Sequence, residues 1–267
     1  MMDEKLTKSE QKIAEYIKEN QEAFLFLSIG ELSKVLQISE ATISRFARHM
    51  GCDDFKSFKR TIVEDASNNM ATKIAKTTLN SGGLHLEDWC ELQKECISRT
   101  LDVLDIESFH GAVSSIVKAR KVYIYGKNAS GSLAKLLFFR LRRIGIDVTI
   151  LPVGSSELLE AMALITEQDC VIMFSFYKLS KECKTILSWQ KEVGYKTILF
   201  ASRIAQQEIL KPDYTIFAYR GKREEYHSMT APVVIIDALV ISITEKIGST
   251  AGSIIKNINT LKEKITE

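Results

Sequence analysis

Along the first hundred residues, apolar positions recur with helical spacing and no stretch alternates as a strand does. Ile13, Ala14, Tyr16 and Ile17 open one helix, and Leu32, Val35 and Leu36 mark another. Ile43, Phe46, Ala47 and Met50 keep the i, i+3, i+4, i+7 pattern of an amphipathic helix and are expected on its inward face. From Phe55 the pattern stays helical to about Thr78. It breaks at Leu79-Asn80-Ser81-Gly82-Gly83, the best linker candidate in the chain.

After Ile106 the pattern changes. Short apolar runs begin at Lys121 (KVYIYG), Asp147 (DVTIL), Asp169 (DCVIMFS), Lys196 (KTILF) and Asp213 (DYTIFA). Between them lie segments suited to helices at 130–144, 155–163, 180–194 and 202–210. Strands alternating with helices predict a five-stranded parallel sheet covered on both faces, with ligands at the carboxyl ends of the strands. The fold expected is an all-α helix-turn-helix domain (1–78), a linker and connecting helix (79–105), an α/β domain (106–248) and a C-terminal helix (249–267).

Composition narrows this little. The formal charge is +2, and residues 1–60 carry ten Lys/Arg against ten Asp/Glu, so any attraction to nucleic acid must come from a local face. The longest apolar run, VVIIDALVISI from Val233, is too short for a membrane span and contains Asp237. The charged start MMDEKLTKSEQK is unlike a signal peptide, so a cytoplasmic location is expected. Five cysteines without a C-x-x-C pair read as reduced thiols, and nothing points to a metal or cofactor.

Residues 28–51, SIGELSKVLQISEATISRFARHMG, are built for one motif. Ser28 and Glu31 form a capping box that starts a helix through Leu36. After a tight turn, Ser39 caps the next helix, which Gly51 stops, making a helix-turn-helix. The polar face of that second helix offers Thr42, Ser44, Arg45, Arg48 and His49 to base edges and phosphates of double-stranded DNA, with Ser39 at its start. Lys56, Lys59 and Arg60 add positive charge beyond it. A plain helical bundle with a solvated face reads similarly from these residues alone.

The run from TKSEQKIAEYI through SIGELSKVLQISEATISRFARHMG to FKSFK closely resembles the N-terminal domain of the RpiR family of bacterial transcription regulators, over about the first eighty residues. The resemblance implies a second, sugar-isomerase (SIS) domain that binds a phosphosugar, and a dimer or tetramer formed through it. The family's first phosphate-side loop reads G-x-G-x-S, and here it is Gly126-Lys127-Asn128-Ala129-Ser130. Asn128 stands where the second glycine would, and asparagine tolerates left-handed backbone angles. Ser130 at the helix start would leave backbone N–H groups free for an anion.

The second loop departs further. The family's S-x-S-G-x-T becomes Ser175-Phe176-Tyr177-Lys178-Leu179-Ser180. The outer hydroxyls remain as Ser175 and Ser180, Tyr177 replaces the middle serine, and Lys178 replaces the glycine that allows close backbone approach. Either Lys178 supplies by charge what geometry supplied, or the usual ligand is no longer bound. Glu225 and His227, in a polar stretch before the last domain helix, are expected as ligand contacts or as solvated surface. An isomerase would need them as acid or base.

The helix from Pro232 to Ile247 is apolar nearly all round, which predicts burial on more than one side. Ile254, Ile258, Leu261 and Ile265 then make a narrow heptad-like seam suited to another helix. The expectation is a non-enzymatic transcription regulator whose SIS domain senses a sugar phosphate or related metabolite, acting as a homodimer or homotetramer. Two alternatives stand beside it: an SIS domain that only joins subunits, and a sugar-phosphate isomerase.

Overall fold

The computed structural model describes residues 6–65, 69–80, 85–202 and 210–266. The expected linker glycines and the expected helix at 202–210 fall largely outside the described residues. The chain divides into two compact units. One holds the chain up to Glu91 together with Gly221–His227, and the other holds Leu92–Arg220 and Ser228 onward.

The first unit is helical: α1 (Lys8–Glu19), α2 (Gln21–Phe26), α3 (Ile29–Leu36), α4 (Glu40–His49), α5 (Phe55–Asp65) and α6 (Met70–Asn80), followed by the start of α7 (Leu86–Val103). Its helix starts are written in the sequence. Thr7 and Glu10 close a capping box on α1, Ser28 and Glu31 close another on α3, and Ser39 caps α4. Phe24, Leu32, Ile43, Phe46 and Phe58 fill the core, with the Phe46 and Phe58 rings edge to face at 5.5 Å. Each such side chain contributes about 1.5–3 kcal/mol by leaving water. Met50 departs from expectation: it follows the last turn of α4 and stays exposed rather than joining Ile43, Phe46 and Ala47 inside.

The second unit continues from α7 through α8 (Ile106–Lys118), β1 (Val122–Gly126), α9 (Ala129–Arg143), β2 (Val148–Ile150), α10 (Ser155–Met162), β3 (Cys170–Phe174), α11 (Lys181–Val193), β4 (Lys196–Ala201), β5 (Tyr214–Phe217), α12 (Thr230–Ile247) and α13 (Ser249–Thr266). The sheet is parallel throughout, in the order β2-β1-β3-β4-β5. Alternation divides its two faces. Val122, Ile124, Ile172 and Ile198 pack with residues of α8, α9 and α12, while Tyr123, Tyr125, Val171 and Met173 pack with α10 and α11. Both faces are covered, so β1 and β3 are buried along their whole length.

The last two helices each keep apolar side chains in solvent. α12 turns Ile235, Ile236, Leu239 and Ile243 into the core, yet leaves Ile241 68% exposed. In α13, Ile254 and Ile258 are half-buried, whereas Leu261 and Ile265 stand in solvent. No described helix is long and apolar enough to cross a membrane.

Candidate functional site

The turn between α3 and α4 is set by Gln37, whose left-handed backbone (φ 54°) ends α3. Ser39 then accepts the Thr42 N–H at 3.2 Å, and its hydroxyl lies 2.9 Å from that of Thr42. Arg45 donates to the Thr42 hydroxyl at 3.2 Å, and both Arg45 and Arg48 are exposed. The positive side of α4 is therefore ordered along its own helix and open to a partner. His49 is held differently, its Nδ1 2.8 Å from the Glu10 carboxylate of α1. The Thr7 N–H, followed by His49 and the Thr7 hydroxyl, draws Glu10 down to a pKa of about 2.

Lys59 does not belong to that exposed face. It is 9% exposed, donates to the Leu27 carbonyl at 3.0 Å, and burial lowers its pKa. The sequence expectation fails here because a long ammonium side chain can thread inward when a carbonyl at a helix end awaits a donor. Lys56 remains exposed, and Arg60 donates to the Leu79 carbonyl at 3.1 Å.

In the second unit β1 and β3 are neighbours, with Gly126 opposite Phe174, so the two loops that follow them open side by side. This is the switch point of the sheet, where strand order reverses. In the first loop, the Ser130 N–H donates to the Lys127 carbonyl at 3.1 Å and the Gly131 N–H to that of Asn128 at 2.9 Å. The turn consumes the Ser130 N–H that the sequence reading left free for an anion. Asn128 sits at φ 54°, ψ −126°, the first central position of a type II′ turn, where glycine is favoured. That explains the glycine of the family pattern. A Cβ at Gly126 would lie 2.6 Å from the Ser130 carbonyl oxygen, so the first glycine is required by close approach.

The second loop is tied internally. The Ser175 hydroxyl donates to the Lys178 carbonyl at 2.9 Å, and Ser180 caps α11 by accepting the Cys183 N–H at 3.2 Å. Phe176 is buried in the core, while Tyr177 and Lys178 are exposed. The sequence reading missed Glu182. Its carboxylate meets Lys127 of the first loop at 3.1 Å, joining the two loops. The Ser180 hydroxyl, then its own backbone N–H and the Lys127 ammonium, hold its pKa down at about 2. The signal was present: an acidic residue in the first turn of a capped helix, where the helix dipole favours a negative charge.

Tyr125 was missed as well. It is 1% exposed, and its hydroxyl lies against Ser180 and Glu182. Burial, then the Glu182 charge, pushes its pKa up to about 12. Glu225 and His227, expected as ligand contacts or solvated surface, fall in a different unit from these loops. They belong to the first unit, where the His227 ring nitrogen and the Glu225 N–H both approach the Lys222 carbonyl at 3.2 Å, and the neighbouring Tyr226 N–H donates to Thr77 at 2.9 Å. No grouping of His, Cys, Asp and Glu fit to hold a metal ion occurs among the described residues.

A capped helix-turn-helix in one unit and a parallel sheet with two loops at its switch point in the other define a class of two-domain proteins, a DNA-binding head joined to a sugar-isomerase-type domain. Comparison with known proteins agrees for each part: residues 1–69 match the helix-turn-helix domain of the rpiR family, and residues 115–242 match the SIS domain. The chain belongs to the RpiR family of helix-turn-helix transcriptional regulators. An uncharacterised HTH-type transcriptional regulator of Clostridium perfringens is 31% identical over 198 residues, covering 73% of this chain and 70% of that protein. Among solved structures, the sugar isomerase domain of an RpiR transcription factor from Sphaerobacter thermophilus aligns with a TM-score of 0.59 at 20% identity, covering 64% of this chain and 96% of that one. The NanR protein of Vibrio vulnificus, complexed with ManNAc-6P, aligns with a TM-score of 0.58 at 18% identity, covering 97% and 94%.

Proposed function

We propose that this regulator grips double-stranded DNA through Ser39, Thr42, Ser44, Arg45 and Arg48, with Lys56 on the phosphates, and that its SIS domain responds to a sugar phosphate. The effector reading rests on one observation: the loops after β1 and β3 open side by side and are joined by Lys127 and Glu182 at the start of α11. A cation, a helix start and hydroxyl groups at one point form an anion seat. The complex of NanR with ManNAc-6P supports the class of ligand. The ligand would act by binding two arrangements of the protein unequally, which shifts DNA affinity without catalysis. Relatives named as transcriptional regulators support a non-enzymatic role. The half-buried seam of Ile254 and Ile258, continued by exposed Leu261 and Ile265, supports pairing with a second copy.

One observation favours the scaffold alternative, in which the SIS domain only joins subunits: the hydroxyls of Ser175 and Ser180 already have protein partners. The deciding experiment is a thermal-shift screen of hexose and pentose phosphates, followed by mobility shifts on DNA selected from a random pool. The sensor reading expects at least one sugar phosphate to raise Tm and to change DNA affinity. A panel that moves neither quantity leaves the scaffold. Interconversion of any panel member would instead make the chain an isomerase.

A further inference from the structure

In the helical unit, α1 holds the helix-turn-helix at two points, one ahead of α4 and one at its end. The Lys12 ammonium donates to the carbonyl of Leu36, the last residue of α3, at 2.7 Å, just ahead of the Ser39 cap. Nearer the start of α1, Glu10 meets Nδ1 of His49, the last residue of α4, at 2.8 Å. Each residue of a helix turns it by about 100°, so these two side chains leave α1 on opposite sides of the buried Ile13. Ile13 and Ile17 share one apolar core with Ile43, Phe46 and Ala47 of α4.

Both contacts are anchored. A carbonyl at a helix end has no partner within its own helix, and Lys12 brings one to Leu36. Glu10 is fixed before it meets His49: its other oxygen, Oε2, accepts the Thr7 N–H and the Thr7 hydroxyl, both at 2.8 Å. Its side chain is 12% exposed and cannot swing away without giving up its own helix cap. The apolar contacts of α4 favour burial but not one orientation, because hydrophobic attraction has no direction. Hydrogen bonds have one. A helix that reads base edges must hold its side chains to about 0.5 Å, so directional contacts matter there. Lys59 gives the comparison, since it satisfies the Leu27 carbonyl ahead of α3 at 3.0 Å by the same chemistry, away from either end of α4.

We propose that Glu10 and Lys12 are positioning residues for DNA recognition: they pin the last residue of α4 and the turn ahead of it, and so fix the pose in which Arg45 and Arg48 meet DNA. The proposal rests on α4 as the reading helix and adds two residues from outside the motif. Both act through α4, and neither has to touch DNA. The sign of one effect separates this from simple electrostatics. Removing Glu10 takes a negative charge from a DNA-binding unit, and charge alone would then strengthen binding to every duplex. Loss of a pin weakens binding to the selected sequence instead.

The test uses the full chain, DNA selected from a random pool and an unrelated duplex of equal length, at a temperature where circular dichroism shows each variant folded. Glu10→Ala and Lys12→Ala are each expected to weaken binding of the selected DNA about tenfold, comparable to one lost base contact, with the salt slope unchanged. His49→Ala removes the same pin as Glu10→Ala while α1 keeps its cap, so it replaces Glu10→Ala should that form unfold. Lys59→Ala loses an equivalent bond and should leave affinity unchanged. With Arg45 and Arg48 already replaced by alanine, losing either pin should cost much less, because the pins act through those side chains. Stronger binding of both duplexes by Glu10→Ala would overturn the proposal and leave a charge effect. A salt slope lowered by about one in Lys12→Ala would overturn it as well, making that ammonium a phosphate contact. Unchanged affinity for the selected DNA in both variants, with Arg45 and Arg48 still required, would end the proposal and keep α4 as the reading helix. Should Arg45 and Arg48 prove dispensable, the reading helix falls and the proposal with it.

Discussion

The guanidinium of Arg220 lies 4.3 Å from the centre of the Phe176 ring, and its Nε donates to the Ser228 carbonyl at 2.9 Å. Phe176 belongs to the second loop, and its carbonyl accepts the Ser202 N–H at 2.9 Å and the Ser202 hydroxyl at 2.7 Å. The loop is thus clamped from two sides at its one buried aromatic. Arg220→Ala should cost about 1–3 kcal/mol, because it removes a desolvated cation–π contact and leaves a carbonyl unpaired. Arg220→Lys should recover only part, since an ammonium cannot stack and donate in the same geometry. Urea unfolding of the three proteins reads the order directly. Equal stability of the alanine form and wild type would show that the clamp contributes nothing.

Arg45 and Arg48 are exposed on α4 while their neighbours Phe46 and Ala47 are buried. Replacing both with alanine should lower DNA affinity by tenfold or more, as each arginine contact is worth roughly 1–3 kcal/mol. Circular dichroism should stay unchanged. Retained affinity in a mobility-shift assay would remove α4 as the reading helix.

Lys56 and Lys59 separate two roles that the sequence joined. Lys56→Ala should reduce the salt dependence of DNA binding by about one counterion, with little change in stability. Lys59→Ala should do the reverse, because Lys59 satisfies the Leu27 carbonyl from inside the unit. Denaturant midpoints and salt titrations of both variants give the comparison. A drop in salt slope for Lys59→Ala would put that ammonium back at the DNA.

Two carboxylates carry an acid dependence, one in each unit. Glu10 and Glu182 have pKa values drawn from 4.5 to about 2 by their hydrogen bonds and cationic partners. A depressed carboxylate pKa stabilises the fold above the unfolded value, and that stabilisation is lost as pH falls from 4.5 toward 2. Both groups touch solvent, so the effect is small. Glu10→Gln should flatten the acid limb of the helical unit's transition and Glu182→Gln that of the sheet's. Unaltered acid limbs would show that neither partnership persists in solution.

Asn128 holds a turn position made for glycine. Asn128→Gly should be neutral or slightly stabilising, whereas Asn128→Val, β-branched at φ 54°, should destabilise by about 1–3 kcal/mol. Thermal unfolding distinguishes them, and a harmless valine would mean that the turn relaxes elsewhere.

Much of this fold was legible in the sequence because the rules involved are local. Ser28 with Glu31, and Ser39 before a helix, announce their own helix starts, and short apolar runs such as those of β1 and β3, separated by helical segments, foretell a parallel sheet covered on both faces. What escaped depended on distant partners. Lys59 looks like any basic residue until Leu27 presents a carbonyl, and Met50 continues a periodic pattern one residue beyond the helix that justifies it. Glu182 gains meaning only once Lys127 lies opposite, which β1 pairing with β3 brings about. The Ser130 N–H seemed available because a turn bond to Lys127 cannot be read from residue types alone.

The all-parallel sheet has a consequence for how the chain is made. Val122 must find Cys170 across α9, β2 and α10 before β1 and β3 can pair, so no hairpin can seed the sheet. Helical packing among neighbours such as α3 and α4 needs no such search, and topologies rich in local contacts fold faster by orders of magnitude. As the ribosome releases the chain from its amino end, the helical unit has the means to be native while the strands are still emerging. Until β3 arrives, the apolar strand β1 lacks one of its two neighbours, and in that interval aggregation competes with folding. Expression yield should therefore respond more to substitutions in β1 and β3 than to equally destabilising ones in α1–α4.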